Sequence, residues 1–309
     1  MHSSATRVVL FTGILAASVA LAAEPRETRI PYAALANVVQ LREHASQDKT
    51  AWRLVESLTT EVGPRLAGSE ADARAVRWAE AEFKALGYDK VWLQPVSFLK
   101  WVRRSERGDV VGAYAQPLTL TALGGSPGGT VEAEVARFAD LAALEAVPAG
   151  ALAGRIAFVD YRMTRARDGS GYGPGNRVRS RGPSAAIRAG ALAFVMRSAG
   201  TDSHRNPHTG ITRFDDGLTP IPSAALSVPD AEQLSRLVAL GQPVRLRIAL
   251  DCGWYGTADS FNVIGEITGR DRKLRGEVVM IGGHLDSWDL GTGAVALVVM
   301  TTSSVRSTF

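Results

Sequence analysis

A single cysteine, Cys252, occurs in 309 residues, so no intrachain disulfide can form and stability must come from packing. Beside Gly253 and Trp254, with no histidine near it in sequence, it reads as a small buried hydrophobe rather than a nucleophile. An excess of charge is also lacking: 35 basic residues stand against 31 acidic ones, for a formal net charge of +4. The basic clusters Arg103-Arg104, Arg177 to Arg181 and Arg270 to Arg275 are short, lie in turn-like sequence and are expected in solvated surface loops. A nucleic-acid binder gathers its basic residues in a patch or stripe, so nucleic acid is not expected as a partner. The Gly- and Arg-rich stretch from Asp168 to Gly182, "DGSGYGPGNRVRSRG", has no GK[ST] behind it and cannot be a phosphate cradle. It is expected to be a flexible loop. His204 and His208 stand four apart, but Asn206-Pro207 breaks any helix between them, so a polar loop is expected there rather than a metal pair.

What is present is the texture of a folded protein, with 46% apolar and 21% charged residues. The opening "MHSSATRVVLFTGILAASVALAAEPRE" has one Arg, an apolar run, and then Ala20-Leu21-Ala22. A positive start, an apolar middle and a small-x-small site make residues 1–22 a cleaved signal peptide by expectation. The run from Val8 to Ala23 falls short of the roughly 20 apolar residues that span a bilayer. No other run of that length follows. The mature chain is therefore expected to be secreted or periplasmic, with no membrane contact after cleavage.

Periodicity divides the remainder. "PYAALANVVQLREHA" and "KTAWRLVESLTTEVG" carry helical spacing. Ser69 with Asp72 predicts a capped helix start, Val76, Ala79, Phe83 and Leu86 its apolar face, and Gly87 its stop. Val91 to Val96 predicts a strand. From about Tyr114 short strands joined by "GGSPGG" take over, with helices over "PSAAIRAG" and "PDAEQLSRLVALG". "DSFNVIGEITG" and "GEVVMIGG" then resume as two strands. The simplest organisation is an α/β domain over 23–113 and 253–309, interrupted by a β-rich domain over 114–252.

The chemistry collects at "VVMIGGHLDSWDLGTGA", Val278 to Ala294. Val278 to Ile281 is of buried-strand type and ends at Gly282-Gly283. His284 and Asp286 follow where a strand leaves its sheet, the usual place for ligands in open α/β folds. A neutral imidazole is a common zinc ligand, and a carboxylate two residues on can accept the proton of its other nitrogen. Asp289 adds another carboxylate.

The string "GGHLDSWDLGTGA" closely resembles the zinc-dependent exopeptidases, a family of secreted aminopeptidases and carboxypeptidases of the carboxypeptidase Q type. "SFNVIGEITG" and "VGPRLAGSEADARA" resemble its preceding strand and its N-terminal segment, and 114–252 is similar to the protease-associated domain some members carry. The resemblance implies a zinc-exopeptidase-like α/β fold with a mixed, mostly parallel sheet. It implies two zinc ions per site, a peptide substrate, His284 as a metal ligand and Asp286 as the catalytic-site residue orienting its ring. In the family a bridging Asp lies twelve residues after the His. Here that position is Ala296, and no Asp or Glu follows Asp289. The chain is thus expected to lack most zinc ligands and the general base, and to be inactive in this form. The alternative is a non-catalytic peptide-binding module built on 114–252.

Overall fold

The computed structural model describes residues 29–294 and 303–306. The expected leader over 1–22 and the position of Ala296 lie outside them. Two compact units divide the chain, Met1–Ala51 and Trp52–Phe309. In the first, helix α1 (Tyr32–Gln47) follows Pro31 and buries none of its residues. Helix α2 (Thr50–Ser57) crosses into the second unit and widens into a π turn over Leu58–Val62. Helix α3 (Glu70–Ala85) begins as its sequence predicts, with the Ser69 hydroxyl accepting from the Asp72 amide. Val76 and Ala79 are buried, Leu86 is exposed, and Gly87 ends the helix at positive φ.

The strands that follow are β1 (Lys90–Val111), β2 (Gln116–Leu118), β3 (Leu120–Ala122), β4 (Gly129–Phe138), β5 (Arg155–Val159), β6 (Ala193–Arg197), β7 (Ser223–Leu226) and β8 (Arg245–Glu266). They form one eight-stranded sheet in the order β2-β1-β8-β4-β5-β6-β7-β3. Strands β4 to β7 run parallel and the other pairings are antiparallel, giving the expected mixed sheet. Three helices connect the strands: α4 (Leu141–Glu145), α5 (Tyr172–Arg188) and α6 (Val228–Ala239). Alternation in the parallel strands builds two cores. Ile156, Phe158 and Val195 join Leu234 of α6 in one, while Ala157, Val159 and Phe194 join Val178 and Ala186 of α5 in the other. Each fully buried side chain of this size contributes about 1.5–3 kcal/mol.

Three expectations change. The stretch from Asp168 to Gly182 is not a loop but largely the first half of α5. Its small residues serve close packing: a Cβ on Gly182 would stand 2.4 Å from the Phe194 ring. The arginine clusters move with it, because Arg177 to Arg181 lie on α5 and Arg103-Arg104 lie inside β1. The Arg103 side chain is buried and Arg104 lies 4.2 Å over the Tyr255 ring. The strand expected over "DSFNVIGEITG" extends back through Cys252 to Arg245, since β8 pairs with β1 from Lys90↔Glu266 to Val111↔Arg245, with bulges near Trp101 and Arg103.

The third change concerns the site strand. Strand β9 (Glu277–Met280) does not join the large sheet but pairs with β10 (Ser303–Arg306) in a two-stranded ribbon. Its expected burial does not occur: Val278, Val279, Met280 and Ile281 are all exposed. The β-branched run makes a strand, but no described layer covers it.

Candidate metal centre

After β9 the chain runs without regular structure from Ile281 to Leu290. The His284 Nδ1 lies 2.8 Å from Asp286 Oδ1, and the two side chains remain 61% and 40% exposed. A carboxylate facing Nδ1 calls for a proton on that nitrogen, which leaves Nε2 to bind a metal. The geometry is that of an oriented imidazole open to solvent.

The support comes from a segment 220 residues earlier in the chain. Arg65, fully buried in the turn before α3, donates through Nε to the Leu285 carbonyl. Its Nη1 donates to the carbonyls of Gly63 at 3.0 Å and Gly293 at 2.7 Å. The Ser287 amide donates to the Arg65 carbonyl at 3.0 Å, and the Arg65 amide to the Ser287 hydroxyl at 3.1 Å. Burial pulls the Arg65 guanidinium below its usual range, opposed by the charges of Asp286 and Asp72. Gly293, at φ +72°, permits the contact, since a Cβ there would meet the Gly63 carbonyl oxygen at 2.6 Å.

Asp289 turns elsewhere. It sits 3.4 Å from Arg103, an ion pair whose Oδ1 lacks hydrogen-bond geometry. Arg103 also donates to the Thr121 hydroxyl at 2.6 Å and lies 3.5 Å from Glu106. Burial pushes the Glu106 carboxyl up, against the pull of Arg103. Trp288 packs over Gly124 and against the core beside Leu66. His204 and His208 lie in a loop, as expected, and His208 faces the Tyr172 hydroxyl at 2.9 Å rather than a second histidine. The structure brings His284 and Asp286 within hydrogen-bond distance, and adds Arg65, Ser287 and Arg103, which no sequence motif singled out. Arg65 was visible only as the single charge inside "GPRLAGS".

Comparison with known proteins bears on the same segments. No family model matches the chain. Human (Homo sapiens) carboxypeptidase Q is 31% identical over 258 residues, covering 84% of this chain and 53% of the relative. A peptidase M28 precursor from Shewanella amazonensis, known as a crystal structure, is 43% identical with a TM-score of 0.80, over 84% of this chain and 59% of that one. Over the matched residues, the chain is similar to exopeptidases of this kind. An aminopeptidase from Aneurinibacillus sp. strain AM-1, 20% identical with a TM-score of 0.50 over 79% of this chain and 53% of its own, shares the fold. The chain spans about half the length of the curated exopeptidase relatives it matches.

A catalytic zinc in such an exopeptidase needs three protein ligands and one open position. Among the described residues no three His, Cys, Asp or Glu side chains converge on a point that could hold a metal. His284 has Asp286 beside it, and Asp289 is directed at Arg103. The described residues alone do not fit the ion.

Proposed function

We propose that the protein is a zinc-dependent exopeptidase of the carboxypeptidase Q type, acting on small peptides, and that the described residues furnish one side of its metal site. The observation that carries this reading is the exposed His284–Asp286 pair held by the "GPRL" turn, in a chain with carboxypeptidase Q and peptidase M28 relatives. In this reading His284 would be one zinc ligand and Asp286 would orient its ring, and the ion, when bound with further ligands, would supply Lewis-acid chemistry. Residues 114–252 form the protease-associated-like insert, which meets the site loop where Trp288 packs over Gly124. Residues 1–22 direct export. Among the described residues no helix is long and apolar enough to cross a membrane.

The test joins this chain, up to Ala294, to the C-terminal part of the Shewanella peptidase that lies beyond the match. The joined protein should release amino acids from unblocked dipeptides in a zinc-dependent way. Asp286→Ala should lower metal affinity or activity about 10–100-fold. A joined protein that folds and carries zinc but cleaves no unblocked peptide would sink the exopeptidase reading.

A further inference from the structure

Arg65 is the bulkiest of the fully buried side chains among the described residues, and it lies in neither helix nor strand. Filling space does not require a guanidinium, because burying a charge is costly and an apolar side chain would pack as well. What a guanidinium adds is a fork of donors, and here the fork closes on one loop. Its Nε takes the Leu285 carbonyl and its Nη1 the Gly293 carbonyl, at the two ends of the site loop. The Arg65 backbone takes Ser287 through two further hydrogen bonds. Residues 285 and 287 are thus pinned inward, one on each side of Asp286. With the Leu285 carbonyl and both the amide and the hydroxyl of Ser287 tied to Arg65, the backbone on each side of Asp286 is fixed, and the side chains of 284 and 286 are left on the open side. That is the observed state: Ser287 is buried, while His284 and Asp286 are open and 2.8 Å apart. The Asp286 charge acts on the guanidinium, and Nη2 has no hydrogen-bond partner among the described residues.

We propose that Arg65 is the positioning residue of the His284–Asp286 pair, setting the loop so that His284 carries its proton on Nδ1 and presents Nε2 outward before any metal arrives. Its purpose rests on the exopeptidase reading, but its geometry does not. The test uses the full 309-residue chain, labelled with ¹⁵N and stripped of metal. Long-range proton–nitrogen correlation spectra report the tautomer of each neutral imidazole. The chain has five histidines, and His284→Gln identifies the relevant signal. The unaltered chain should show His284 in the Nδ1–H form. Arg65→Ala and Arg65→Lys should both move it to the Nε2–H form that histidine favours in water, with the amide signals of β5 and β6 unchanged. Arg65→Lys keeps the charge and loses the fork, so a response to lysine excludes a purely electrostatic role. Where Arg65→Ala does not fold, Arg65→Lys and Ser287→Ala decide in the same way. A folded Arg65 variant with the Nδ1–H form intact, or the Nε2–H form in the unaltered chain, overturns the proposal. The readout needs neither metal nor peptide, so its failure leaves the exopeptidase reading standing, and an inactive joined protein leaves this one standing.

Discussion

At the scale of single residues, burial decides what each reactive group can do. The Cys252 thiol is 5% exposed, and burial pushes its pKa up to about 11. Its Sγ rests 3.5 Å from the Ser126 carbonyl. At pH 8 the thiolate fraction is then small, and thiolate is the reactive species. A disulfide reagent at that pH should leave the native chain unlabelled and label one thiol once denaturant is added. Rapid labelling without denaturant would show that Cys252 is open. The burial of the lone cysteine was legible from sequence because it closes the alternating run "VRLRIALDC" and stands beside Gly253 and Trp254. Arg65 was not legible. A charged residue in a Gly-Pro turn ordinarily faces water, and only the return of residues 285 to 293 across it makes burial favourable.

Among elements, the parallel strands are locked by a charge cluster at their carboxyl ends. Asp160 follows β5 and is buried with both oxygens engaged. It accepts from Arg137 of β4, from Arg197 of β6 at 2.7 Å, and from Ser235 of α6 at 2.5 Å. Burial alone would raise its pKa, but the hydrogen bonds and guanidinium charges prevail and hold it below the ordinary carboxylate range. A depressed carboxyl pKa stabilises the fold above the unfolded value, near 3.8, and that contribution is lost as pH falls through the folded value. Asp160→Ala leaves Arg197 buried without its nearest counter-charge. It should cost about 3–5 kcal/mol at pH 7 and flatten the acid limb of the stability profile below pH 4. Urea unfolding at pH 7 and pH 3 measures both; an unchanged midpoint at pH 7 would show that Glu232 and the Val228 carbonyl suffice for Arg197. The helix over "PDAEQLSRLVALG" was readable from its spacing and from Asp230 near its start, and α6 forms there. The first half of α5 was not. Glycines and prolines at 173–175 and 182–183 deny a helix by propensity, and only the packing of Val178, Gly182 and Ala186 onto the sheet overrides that.

For the whole molecule, the α/β class and the kinship were legible because the motif strings at 62–75 and 278–294 are specific and meet in space. The state of the site strand was not. "VVMI" has the composition of a buried strand, yet burial depends on neighbouring layers that no local pattern reports, and β9 stands with its apolar side chains in water. The same deficit governs chemistry. A zinc site needs carboxylates and imidazoles from several elements, while the described residues converge only His284 and Asp286. On the proposed function, these residues are one prepared side of a metal centre and not a whole one. The most direct test is the zinc content of the 309-residue chain, loaded with zinc, desalted and measured by elemental mass spectrometry beside a His284→Ala control. No zinc pair should be retained, and at most weak binding that the control abolishes should appear. Two zinc ions held through desalting would contradict this reading.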